Sequence, residues 1–137
     1  MALEKSGLHE RADEYLSSGG TFVQCHAIRG DILDLRGDWQ GAEGEYRSAI
    51  ALAPDLSGGY YHWGVALARH GDLREAELKL KEANKRSPHW ADPLKAWGDV
   101  LEKEGRVREA LAKYNAALRY APNWAALRDS REILAHR

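Results

Sequence analysis

Cysteine is nearly absent from this sequence. With Cys25 alone, neither an intrachain disulfide nor a multi-cysteine zinc site is available, which fits a reducing compartment. Long apolar runs are missing too, so no stretch approaches the roughly 20 residues of a membrane-spanning helix. The N-terminus, MALEKSGLHE, lacks the basic start and apolar stretch of a secretion signal. The cytoplasm is therefore the default expectation, with a leader upstream of this sequence left open. Neither sign of charge is in excess: 20 Lys and Arg face 21 Asp and Glu, a formal charge of −1. That balance argues against a nucleic-acid partner, which needs many uncompensated cations, and against an electrostatic membrane anchor.

Catalytic and metal-binding patterns are also lacking. His9-Glu10 is followed by Asp13 where a zinc protease needs its second histidine. Cys25 and His26 are neighbours on an expected helix, so they point about 100° apart and make a poor activated pair. No glycine loop has a phosphate-binding pattern. The sequence thus predicts no enzyme, no cofactor and no metal. Linkers and low-complexity stretches are absent as well.

What is present is a repeat. Gly59 to Trp90 returns 34 residues later as Pro93 to Trp124. Trp63-Gly64 becomes Trp97-Gly98, Gly71 becomes Gly105, and Arg74-Glu75-Ala76 becomes Arg108-Glu109-Ala110. Pro88 and Trp90 become Pro122 and Trp124, and a looser copy upstream keeps Gly30, Gly37, Ala42, Tyr46, Ala49 and Pro54. A fixed period of this size marks a repeat architecture.

Local signals divide each repeat into two helices. A weak amphipathic helix is predicted over 3–17, then Thr21 and Gln24 form a capping box for a helix running to Arg36. Gly37 closes it, Asp38 caps a helix over 39–52, and Pro54 forbids continuation. The second repeat has helices over 57–70 and from Asp72 to Pro88, with Gly71 between them. The third starts near Ala91 or Asp92, since Pro93 is tolerated only in a first turn, stops at Gly105, and continues over 107–120. Asn123 is expected to cap a final helix to Ala135.

Gly30, Gly64 and Gly98 fall mid-helix, where glycine costs roughly 1 kcal/mol relative to alanine. That cost implies a helix pressed against the backbone, with Ala42, Ala76 and Ala110 as the opposing small surface. Tyr46, Leu80 and Tyr114 follow on the same face, then Ala49, Ala83 and Ala117, while Leu33, Leu67 and Leu101 recur on the first helices. This set resembles the tetratricopeptide repeat (TPR) family, a 34-residue helix-turn-helix with tryptophan, leucine, glycine and tyrosine in the first helix and alanine, an aromatic and proline later. There are departures. The early tryptophan is His26, Tyr60 and Leu94, the leucine before glycine is Arg29, Trp63 and Trp97, and the first-helix tyrosine is leucine throughout.

The resemblance implies an all-α, right-handed superhelical solenoid of antiparallel helix pairs. Its repeats would span 23–56, 57–90 and 91–122, followed by a capping helix over 123–137 with Trp124, Leu127 and Leu134 on its inner face. Residues 1–20 would be either a divergent N-terminal cap or the remnant of a preceding repeat. The first helices would line a concave groove that binds a peptide or helical segment of another protein. Carried over position by position, the groove would comprise Gln24, Ala27, Asp31, Asp34 and Leu35; Gly58, Tyr61, Val65, Ala68 and Arg69; and Asp92, Lys95, Asp99, Glu102 and Lys103. Chaperone-tail carboxylate clamps of the family place Lys and Asn where this chain has Ala27 and Asp31, which argues against that specificity.

Tyr61 with Val65 is the expected apolar centre, flanked by Asp31 and Asp34 on one side and mixed charges on the other. Such a groove suits a segment with apolar anchors and some Lys or Arg. The competing reading is that these charges are simply a solvated face. Trp63, Trp97, Trp90 and Trp124 are expected to pack between repeats, with Trp39 partly exposed. The alternative function is structural: solenoid ends that stack into a homodimer or pack on a neighbouring domain of a longer chain. RNA binding, as in the related pentatricopeptide solenoids, is disfavoured by the 34-residue period and the balanced charge.

Overall fold

A computed structural model describes residues 23–137, so the expectations for residues 1–20, for Thr21 and for the Gln24 side chain lie outside the described residues. Among the described residues there are seven helices and no strand: α1 Val23–Leu35, α2 Trp39–Leu52, α3 Gly58–Arg69, α4 Leu73–Arg86, α5 Ala91–Lys103, α6 Val107–Tyr120 and α7 Ala125–Ala135. They pair as hairpins α1–α2, α3–α4 and α5–α6. Each hairpin packs on the next, and α7 closes the stack against α6. None of these helices is long and apolar enough to cross a membrane.

One turn is used three times inside the hairpins. Gly37, Gly71 and Gly105 adopt φ of 88°, 83° and 77°, the left-handed conformation open to glycine. In each turn the residue after glycine donates its N–H back to the recurring leucine: Asp38 to Leu33 O, Asp72 to Leu67 O and Arg106 to Leu101 O, at 2.9–3.0 Å. These bonds satisfy carbonyls that a helix end leaves orphaned. The same residue then starts the next helix. Asp38 accepts from the Gly41 N–H at 2.9 Å and Asp72 from Glu75 at 3.4 Å. Arg106 cannot accept; its guanidinium instead binds Glu109 and Glu77.

Two local expectations need correction. Asn123 does not cap α7: the N-cap position is Trp124, with extended backbone and no side-chain cap. Nor is alanine what meets the first-helix glycines. A Cβ on Gly30 would lie 2.5 Å from Tyr46 Cε1, one on Gly98 2.5 Å from Tyr114 Cε1, and one on Gly64 2.8 Å from Leu80 Cγ. A large second-helix side chain fills the notch that each glycine leaves. The alanines flank it, and the sets Ala42–Tyr46–Ala49, Ala76–Leu80–Ala83 and Ala110–Tyr114–Ala117 are all fully buried.

Between hairpins the joint is a tryptophan. Trp63 Nε1 donates to Glu43 of the preceding hairpin at 3.1 Å, and Trp97 Nε1 donates to Glu77 at 2.9 Å. Lys79 lies 4.3 Å from the Trp63 ring centre, and Lys113 lies 3.8 Å from that of Trp97. The two joints use the same three positions one period apart. Arg29, also buried, holds the equivalent place in α1.

Candidate peptide-binding groove

The first helices of the hairpins, α1, α3 and α5, carry the predicted groove residues, but Asp31 and Asp34 are not turned outward. Asp31 is 5% exposed. It accepts the Tyr46 hydroxyl at 2.6 Å and pairs with His62 Nδ1 at 2.6 Å. Asp34 takes Arg69 at 2.9 Å and His70 Nε2 at 2.5 Å. Asp31, Asp34 and Arg69 therefore come together with two histidines as the tie between α1 and α3. The expectation of free acids flanking the groove is corrected accordingly. A buried carboxylate costs several kcal/mol unless paired, and these pairs offset that cost.

At the other end, Lys95 pairs with Asp99 at 2.7 Å. Asp99 and Glu102 both accept the Tyr114 hydroxyl, at 2.6 and 2.9 Å, and Glu102 also meets Arg137 at 3.1 Å. Burial, then the two carboxylates, push the Tyr114 phenol far above its ordinary range, so it stays a donor. Tyr46 is shifted the same way, by burial and then Asp31.

These bonds expose a pattern within the repeats. Positions 31, 65 and 99 are Asp, Val, Asp, while the partners at 46, 80 and 114 are Tyr, Leu, Tyr. Where the second helix brings a phenol, the first helix brings a carboxylate; where it brings leucine, valine meets it. Val65 thus packs on the core with Tyr61 and Ala68. That paired exchange was legible in the sequence and is the signal that Asp31 and Asp99 serve packing. His62 and His70 had no such signal.

What remains open lies around Tyr61. Its ring sits 4.8 Å from that of Trp90, the N-cap residue of α5. Burial, then nearby Asp92, Asp31 and Asp99, push its phenol up to about 12. Beside this pair is an open hollow of about 360 Å³. Ala27 of α1, Gly58 and Gly59 at the start of α3, and Trp90 give it apolar walls, with Leu56 more than half exposed at the rim. His62 and the hydroxyls of Ser57 and Ser87, 2.8 Å apart, supply polar edges. A Cβ on Gly58 would meet nothing within 4 Å, whereas one on Gly59 would press on Ile50. The hollow is therefore open space at Gly58 and wall at Gly59. Trp90, expected to pack between repeats, stacks near Tyr61 and also faces the hollow. Trp39 is half-buried against His70, ring centres 4.0 Å apart.

Among the described residues no three His, Cys, Asp or Glu side chains gather as a metal ligand set.

No family model matches this sequence, and no curated protein sequence matches it. Solved structures do. The chain superposes on PilF of Pseudomonas aeruginosa with a TM-score of 0.82 at 18% identity, over 98% of this chain and 64% of that one. YrrB, described as a TPR protein with an unusual peptide-binding site, gives 0.75 at 19%, covering 96% and 69%. The first TPR of Spaghetti (RPAP3), bound to the HSP90 peptide SRMEEVD, gives 0.76 at 15%, covering 83% and 90%. The fold is that of the tetratricopeptide repeat proteins, an all-α right-handed superhelical solenoid.

Proposed function

We propose that this chain is a non-enzymatic protein–protein interaction module that holds a peptide or helical segment of a partner in the groove of α1, α3 and α5. The observation that carries the reading is the hollow at Ala27, Gly58 and Trp90 beside Tyr61, a preformed apolar pocket with few polar groups, as binding sites commonly are. An apolar side chain of the partner fills it, and Tyr61 supplies rigid aromatic area next to it. With Asp31 held by Tyr46 and His62, and Asp34 by Arg69 and His70, Asp92 remains at the start of α5 for a Lys or Arg of the partner. YrrB and RPAP3 are solenoids of the same fold whose descriptions name peptide binding. The absence of Lys and Asn at Ala27 and Asp31 argues against capture of an acidic chaperone tail.

The test is a selection of displayed random peptides on the immobilised protein, followed by affinity measurements on variants. Gly58→Phe fills the hollow from a position with free space, Tyr61→Ala removes the aromatic neighbour, and Gly44→Phe adds the same bulk on the exposed face of α2. Selected peptides should share an apolar anchor, and should lose binding to the first two variants and keep it to the third. Retained binding to folded Gly58→Phe would place recognition elsewhere. The structural alternative draws on Ile133, 64% exposed on α7; association through that end would appear as a dimer in sedimentation that Ile133→Glu dissolves.

A further inference from the structure

We propose that the outward stripe of α4 and α6 is a second docking surface, which takes an acidic segment of a partner protein.

Arg74, Leu78, Lys81 and Lys85 follow one another at spacings of four, three and four residues, which aligns them on a single face of α4. One period on, Arg108, Ala112, Asn115 and Arg119 form the matching stripe of α6. All eight are exposed, and neither stripe contains a carboxylate. Acidic residues elsewhere on these helices are already engaged: Glu77 by Trp97 and Arg106, Glu82 by Arg86, and Glu109 by Arg106. Glu75, exposed beside the stripe, is the exception among the described residues. Among the described residues, Arg74, Lys81, Lys85, Arg108 and Arg119 are in no ion pair that would compete with a ligand.

This charge is local. The chain as a whole carries −1, and the corresponding stripe of α2, Gln40, Gly44, Arg47 and Ala51, holds one cation. The two cationic helices are also held in fixed relation. Lys81 from α4 and Lys113 from α6 converge on the Trp97 ring at 5.7 and 3.8 Å, and Arg106 bridges to Glu77. Rigid mounting lowers the ordering cost of binding.

Two features define the ligand. Five cations in no ion pair among the described residues call for carboxylates, and Leu78, 47% exposed in the middle of the α4 stripe, calls for an apolar side chain among them. An acidic peptide segment offers both. Nucleic acid meets only the first, because the stripe presents no aromatic face on which a base would stack.

Fluorescence anisotropy with a labelled peptide of repeated Glu-Glu-Leu triplets tests this, beside a labelled oligouridylate of equal charge. The peptide should bind at low salt and weaken as salt rises. Lys81→Glu/Lys85→Glu/Arg119→Glu should weaken it at least about tenfold, and neutralisation of the same three to Gln by less. Leu78→Ser should weaken it without changing the salt slope, and Tyr61→Ala should leave it unchanged. All substituted stripe residues are exposed, and retained helical circular dichroism checks each fold. Absence of peptide binding, indifference to both triple variants, loss on Tyr61→Ala, or tighter binding of the oligouridylate would each overturn the proposal. Failure of the groove reading would leave it standing.

Discussion

At the residue scale, the polar interior of this protein is a set of matched exchanges. Asp31 with Tyr46 and Asp99 with Tyr114 are hydrogen-bonded pairs, and Val65 with Leu80 is their apolar counterpart at the same register. Val65→Asp alone would bring a carboxylate against leucine, and urea unfolding should show a loss of about 2–3 kcal/mol. Adding Leu80→Tyr should recover much of it, because Gly64 leaves the notch that a tyrosine ring occupies at Gly30 and Gly98. Simple additivity of the two substitutions would show that the pairs are not interchangeable. Asn84 is the mismatch of the set. Its Oδ1 is buried without a hydrogen-bond partner, where the equivalent positions hold Ile50 and Leu118. Asn84→Leu should stabilise the protein by about 1 kcal/mol, since a desolvated carbonyl is removed, and thermal unfolding reads this as a rise of several degrees.

At the scale of the elements, the joint between the second and third hairpins turns on Glu77. Burial pushes its carboxyl up, but the bonds from Trp97 and Arg106 outweigh it and hold it below the usual 4.5. Its pKa is lower folded than unfolded, so its contribution is complete above the unfolded value and disappears as pH falls through the folded one. Glu77→Gln should therefore cost roughly 1–3 kcal/mol at neutral pH, and little once the wild-type carboxyl is protonated. Unfolding curves across the acid range should converge; a difference that persisted in acid would assign Glu77 a packing role instead. The hairpins themselves were legible because their signals are local. Glycine after the recurring leucine, aspartate next and proline at the far end each act within a few residues. Asn123 failed as a cap because the chain places Trp124 at that position, extended and packed on the third hairpin.

For the whole molecule, hairpins that touch only their neighbours imply stability that is passed along the stack. Leu127 and Leu134 bury α7 against the cluster of Leu94, Leu101 and Tyr114. Leu127→Ala should cost about 2–5 kcal/mol, and hydrogen exchange should rise first in α5 and α6 and least in α1 and α2. Uniform loss of protection would show a single cooperative unit.

The sequence by itself determined the paired helices of the described residues, their turns, the glycine notches and the class of fold, because a repeated local pattern states each of them three times. Only the tertiary structure decided which of the groove residues are free. Asp31 and His62, or Asp34 and His70, stand 31 and 36 residues apart in the chain. Whether their side chains meet depends on how steeply one hairpin crosses the next, and no spacing within a helix encodes that angle. The same crossing opens the hollow between Ala27, Gly58 and Trp90, since three helices from three hairpins must converge before its walls exist.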